Sequence, residues 1–187
     1  MRIGILALQG AFAEHAAMLD RFGAEHFEIR QPRDLEGGMD GLILPGGEST
    51  TMGKLLRELD LFEPLRGRIA GGLPVFGTCA GLILLAKQVE GGVPCFATMD
   101  IAVRRNAYGR QLGSFHATET FQGLGQVPMT FIRAPYIASV SGDAAALAWV
   151  DGHMVAARQG KQLVTAFHPE LDEDGAIHRY FLDMIAP

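Results

Sequence analysis

Only two of the 187 residues are cysteine, Cys79 and Cys95, so the chain has no disulfide framework. A reducing, cytoplasmic setting is the natural expectation. Positive charge is also short. The 16 Lys and Arg face 21 Asp and Glu, and the net charge of -5 argues against a nucleic-acid partner or an anionic membrane surface. No apolar run approaches the roughly 20 residues of a membrane-spanning helix. Residues 2–8 enter a strand-like run at once, with no signal peptide in view. Repeats, low-complexity tracts and linkers are missing, so a single domain over residues 1–187 is expected. No two histidines have metal-ligand spacing and Cys95 has no Cys or His beside it, so neither a metal nor a cofactor is expected.

What is present is an alternation. The chain is 48% hydrophobic, and its apolar residues gather into short buried-strand runs at 2–8, 41–44 and 73–78. Between them, residues 13–22, 51–59 and 63–70 space their apolar side chains as helices do, and 25–30 reads as a further strand. This order is the sign of a parallel sheet covered on both faces. After Gly91 the pattern changes. Residues 99–104 and 112–118 read as paired or edge strands, and 129–133 as another. Strands at 147–150, 154–158 and 162–167 are separated by Asp151-Gly152 and Gln159-Gly160, turns that suit antiparallel hairpins. A last helix over 175–185 puts Ile177, Tyr180, Phe181, Met184 and Ile185 on one face.

Three short stretches carry chemistry. Gly77-Thr78-Cys79-Ala80-Gly81 joins a strand to an apolar helix and is the thiol counterpart of the Gly-x-Ser-x-Gly nucleophile elbow. The alternative is a buried structural cysteine between two packing glycines. A cysteine nucleophile needs a base and a group to orient it. His168 ends an apolar strand, and in an extended backbone Glu170 lies on the same side, with Pro169 restraining the geometry between them. The bland reading there is a polar strand end feeding a loop. Pro45-Gly46-Gly47 ends another strand, where a glycine N–H can approach an oxyanion. Gly47 and Ala80 are the expected pair of donors. Among the other histidines, His15 and His178 fall in charged helices and read as solvated. His26 and His116 have nothing acidic placed for a relay, and His153 reads as an exposed hairpin tip.

Together, Gly77-Thr78-Cys79-Ala80-Gly81 and Phe167-His168-Pro169-Glu170 resemble the class I, triad-type glutamine amidotransferases. More narrowly, Leu8-Gln9-Gly10 with Glu14-His15, Pro45-Gly46-Gly47-Glu48-Ser49-Thr50-Thr51-Met52, the run 105–111 and Ile132-Arg133-Ala134-Pro135 are similar to the glutaminase subunit of pyridoxal 5′-phosphate synthase. Residues 93–98 and His116 depart from that pattern.

The resemblance implies a three-layer, flavodoxin-like α/β fold: a mostly parallel sheet, helices on both faces, and an antiparallel extension in the C-terminal half. It implies Cys79, His168 and Glu170 as the triad, and Gly47, Glu48 and Ser49 at the glutamine site and its oxyanion hole. Arg105, Ile132 and Arg133 are implied at the amino-acid end of the substrate, where an arginine suits a carboxylate. L-glutamine is the implied substrate. The implied partner is a synthase subunit that receives the ammonia in a hetero-oligomer and activates the glutaminase on docking, through rearrangement at Gly46-Gly47. Two other readings stand beside it: the glutaminase of a different biosynthetic synthase, and a triad relative without glutamine chemistry.

Overall fold

The computed structural model describes residues 1–105 and 113–186. Residues 106–111 of the arginine motif, and Leu112 at the expected start of a strand, lie outside the described residues. The first half alternates strand and helix: β1 (Arg2–Leu6), α1 (Phe12–Arg21), β2 (Glu25–Ile29), β3 (Gly41–Leu44), α2 (Ser49–Glu58), α3 (Phe62–Ala70), β4 (Val75–Thr78) and α4 (Ala80–Leu85). The second half is mostly strand: β5 (Ala86–Glu90), β6 (Met99–Arg104), β7 (Ser114–Phe121), β8 (Gly125–Ile132), β9 (Tyr136–Val140), β10 (Ala145–Val150), β11 (His153–Gln159) and β12 (Gln162–Thr165), closed by α5 (Ala176–Ile185).

Strands β3 and β4 are buried at every position and β1 at all but its first, as befits strands covered on both faces. All the strands join one 12-stranded sheet whose main path runs β2-β1-β3-β4-β12-β11-β10-β7-β8. From β2 to β12 the pairing is parallel. Beyond β12 it is antiparallel. Strands β5, β6 and β9 branch from β11. This is the expected parallel sheet with an antiparallel extension.

The chain leaves β1 in one direction, to β2, and leaves β3 in the other, to β4. Right-handed crossovers therefore send α1 to one face and α2 with α3 to the other. On the α1 face, Phe76 of β4 packs against Phe181 of α5 and edge-on against His15 of α1. On the opposite face, Phe62 of α3 stacks on Phe96 at 5.5 Å. A sheet whose crossovers diverge in this way opens a crevice at the carboxyl ends of its strands.

Both hairpins form as the turns predict. Asp151 and Gly152, at φ 49° and 78°, link Val150 to His153, and Gly160 lies between the paired Gln159 and Gln162. The pairing of 99–104 and 112–118 differs from a simple hairpin. Strand β6 pairs with β5 and β9, whereas β7 pairs with β8 and β10. Strand β5 follows α4 without a break and mixes buried and exposed positions irregularly, so neither period marks it.

Candidate active site

The elbow is a strand-to-helix junction under strain. Cys79 follows β4 directly and precedes α4, with φ 47° and ψ -97°, a backbone conformation that L residues rarely adopt. Its N–H donates to the Thr165 carbonyl at 2.8 Å, so the neighbouring strand β12 fixes the turn. The flanking glycines are there for close approach. A Cβ on Gly81 would fall on the Leu44 carbonyl of β3, and one on Gly77 would sit 2.7 Å from the Gly81 backbone. The Ala80 N–H belongs to the first turn of α4, where a helix offers it no acceptor.

His168 and Glu170 come from the end of β12, but not on an extended backbone. Pro169–Leu171 form a 3₁₀ turn in which the Leu171 N–H donates to the His168 carbonyl at 3.1 Å. Proline is well placed at the start of such a turn because it has no N–H to leave unmade. The turn folds Glu170 back, so that its Oε1 meets His168 Nδ1 at 2.7 Å, and both residues are buried. The His168 N–H is held by the Thr130 carbonyl of β8 at 2.8 Å. Burial by itself would lower the imidazole pKa. Hydrogen bonds to Cys79 and Glu170, with the charges behind them, outweigh it and raise His168 to about 10. This arrangement favours the imidazolium that forms when His168 takes a proton.

The β3–α2 loop forms the facing wall. The Gly46 carbonyl accepts the Ala11 N–H at 3.0 Å, and the Glu48 N–H donates to Gln9 Oε1 at 2.7 Å. Helix α2 is capped by the side chain of Glu48. Its carboxylate takes the Thr51 hydroxyl at 2.7 Å and the N–H groups of Thr50 and Thr51. The Thr51 hydroxyl, outweighing the upward push of burial, and with it those N–H groups bring Glu48 down to about 2.

These loops enclose a cleft of about 440 Å³ lined by Gly47, Glu48, Ser49, Cys79, Ala80, Arg105, Ile132, Arg133 and His168. Every residue that the sequence put at the site therefore meets there except Glu170, which is buried behind His168. Arg105 Nη2 makes long bonds to Glu48 Oε1 (3.4 Å) and Thr50 Oγ1 (3.3 Å). Arg133 sits at φ 43°, with its N–H on the Gly113 carbonyl at 2.7 Å. Gln9, Gly10 and Ala11 also line the cleft. They have no part in the residue-by-residue reading, although Leu8-Gln9-Gly10 was among the matching stretches.

Five histidine readings need correction. His15 and His178 are both wholly buried, and His15 Nδ1 lies 2.9 Å from His178 Nε2. Charged sequence neighbours hid this, because each helix turns its histidine inward. His116 does join a relay: its Nδ1 reaches Thr130 Oγ1 at 2.9 Å, which donates to Asp172 at 2.7 Å. His26 pairs with Asp20 at 3.0 Å. His153 is half-buried and stacks on Tyr136. Among the described residues, no three His, Cys, Asp or Glu gather in a way that would hold a metal ion.

Comparison with known proteins agrees with this fold. The model of the SNO glutamine amidotransferase family matches residues 5–187. The pyridoxal 5′-phosphate synthase subunit PdxT of Methanocorpusculum labreanum is 64% identical over 186 residues, covering 100% of this chain and 98% of its own. The same subunit of Desulfitobacterium hafniense is 57% identical over 187 residues, 100% of this chain and 94% of its own. A solved glutamine amidotransferase, 45% identical over 99% of both chains, superposes with a TM-score of 0.93. With a family model spanning all but the first strand's opening residues, and relatives this similar from end to end, the chain belongs to the SNO glutamine amidotransferase family.

Proposed function

We propose that this chain is the glutaminase subunit of a pyridoxal 5′-phosphate synthase, working as one catalytic domain in the cytoplasm. The observation that carries the reading is a thiol on a strained elbow facing a histidine whose far nitrogen rests on a buried glutamate. His168 takes the Cys79 proton, and the thiolate attacks the side-chain carboxamide carbon of L-glutamine. The N–H groups of Gly47 and Ala80 receive the oxyanion. The C–N bond then breaks, with ammonia leaving on the proton from His168 and a glutamyl thioester left on Cys79. Water, deprotonated by His168, cleaves the thioester to glutamate and restores the thiol. Glu170 holds the imidazole orientation and stabilises its cation throughout.

The two arginines at the rim support an amino-acid substrate. The Arg105 bonds to Glu48 and Thr50 are long enough to be exchanged for a substrate carboxylate. Arg105→Met should raise KM for glutamine by about tenfold or more and leave kcat nearly unchanged, the signature of lost uniform binding. A kcat loss with unaltered KM would place Arg105 elsewhere in the reaction.

The ammonia passes to the synthase subunit of a hetero-oligomer, as the names of the 57–64% identical relatives suggest. Docking acts on the Gly46–Glu48 loop, which is held to the β1 loop by the Gly46 carbonyl and the Glu48 N–H. The test measures ammonia from glutamine for the purified chain alone and after adding the synthase subunit. A rise on addition is expected. High activity alone, with no rise, would remove docking-dependent activation, and no glutamine-dependent ammonia in either case would remove the assignment.

A further inference from the structure

The reaction above employs one face of Glu170 and leaves a buried histidine pair on the other. His15 of α1 and His178 of α5 are 163 residues apart in sequence and wholly buried, with 2.9 Å between His15 Nδ1 and His178 Nε2. The other nitrogen of His15, Nε2, points toward the triad, 3.2 Å from Thr78 Oγ1 and 3.6 Å from Glu170 Oε2. That outer oxygen of Glu170 is buried, and among the described residues it has no hydrogen-bond partner at normal distance. Phe76 closes the pair edge-on, at 6.0 Å from His15 and 5.5 Å from His178.

Both rings are neutral. Burial, then the charges of His178 and His168, hold His15 well below its ordinary value, and burial followed by Arg21 brings His178 to about 3. A neutral imidazole carries one proton, so the pair has two arrangements. If His15 carried it on Nδ1, its Nε2 lone pair would face a carboxylate oxygen without water between. His178 would then have to place its own proton on Nδ1, which is buried without an acceptor. With the protons reversed, His178 Nε2–H donates to His15 Nδ1, and His15 Nε2–H points at Thr78 and Glu170. Only one lone pair, on His178 Nδ1, is then left unmade. The carboxylate selects this second arrangement.

We propose that His15 is a positioning residue of the triad: its Nε2–H, aimed by His178, steadies the outer oxygen of Glu170 and so keeps Oε1 on His168 Nδ1. The inference rests on reading Cys79, His168 and Glu170 as the catalytic set. Without this N–H dipole, the outer oxygen of Glu170 faces no donor in a water-free site, and the carboxylate gives the His168 imidazolium less support. The His168 cation beside Cys79 is then less favoured, and the thiol reacts less readily at a given pH.

The experiment compares wild type, His15→Leu, His15→Gln and His178→Phe. Glutaminase kinetics are read with the synthase subunit added. The pH dependence of iodoacetamide alkylation at Cys79 is read by mass spectrometry on the free chain. His15→Leu should lower kcat by about tenfold or more with KM unchanged, and move the alkylation profile to higher pH. His15→Gln, whose amide N–H has similar reach, should recover most of both. Wild-type kcat and profile in folded His15→Leu would overturn the proposal, as would equal losses in the Leu and Gln variants. If His15→Leu does not fold, His178→Phe decides: a lowered kcat with a shifted profile supports the relay, and wild-type values in both overturn it. Glutamine-dependent ammonia release by wild type is read alongside. Its absence would count against the glutaminase reading itself, which a defect confined to His15 variants does not touch.

Discussion

Cys79→Ala and Cys79→Gly should both stop ammonia release from glutamine, by about 10,000-fold or more, yet differ in stability. Loss of the nucleophile removes the thioester route and leaves only binding and the oxyanion site, so the activity loss is the same for either substitution. Stability separates them because Cys79 sits at φ 47° and ψ -97°. A residue with a Cβ in such a region costs on the order of 1–3 kcal/mol, and alanine keeps that cost. Glycine relieves it and gives back about 0.5–1 kcal/mol through the greater freedom of its unfolded chain. Cys79→Gly is therefore expected to be more stable than Cys79→Ala by about 1 kcal/mol in urea unfolding. Equal stability, or the reverse order, would show that the elbow stores no strain.

Either substitution also removes one of the two partners that raise His168 from 6.5 to about 10. A raised histidine contributes stability that is fully present below 6.5 and is lost as pH rises through about 10. With Cys79 gone, that contribution is smaller below 6.5 and is used up at a lower pH.

The parts of this site that the sequence revealed are the local ones. Gly77-Thr78-Cys79-Ala80-Gly81 is legible because the turn, the close approach to β3 and the projection of the thiol at the strand end are all encoded within five residues. Pro45-Gly46-Gly47 and His168-Pro169-Glu170 are short enough to be read in the same way. Even there, the path between His168 and Glu170 was missed, since a proline fits the start of a 3₁₀ turn as well as an extended segment.

What the sequence hid depends on distant partners. Nothing near His15 indicates that His178 will meet it, and Glu14 and Arg21 on the same helix make a solvated face the natural expectation. The pairing of β6 and β7 was hidden similarly, because β9 and β10 choose them from further along the chain. The Glu14-His15 pair did signal its importance through the family resemblance. A motif match says that a residue matters and leaves open which way its helix turns.

Two single-methyl insertions should separate the catalytic loop from the structural elbow. Neither Gly46 nor Gly81 has a positive φ, so alanine brings no backbone strain at either place, only a Cβ. At Gly46 that Cβ falls on the His168 ring, with Nδ1 at 2.9 Å. The ring borders the open cleft and can yield, but a yielding ring leaves both Glu170 and the thiol. Gly46→Ala should therefore fold with a small loss of stability and lower kcat by about 100-fold, the order expected for a base displaced by about 1 Å. At Gly81 the Cβ meets the Leu44 carbonyl, and neither β3 nor α4 can move without opening the middle of the sheet. Gly81→Ala should cost about 2–3 kcal/mol in urea unfolding, since overpacking against backbone has no side chain to absorb it. Wild-type kcat in Gly46→Ala would mean that the loop is not seated on the base as the geometry requires. Wild-type stability in Gly81→Ala would mean that the elbow has room which its contacts deny.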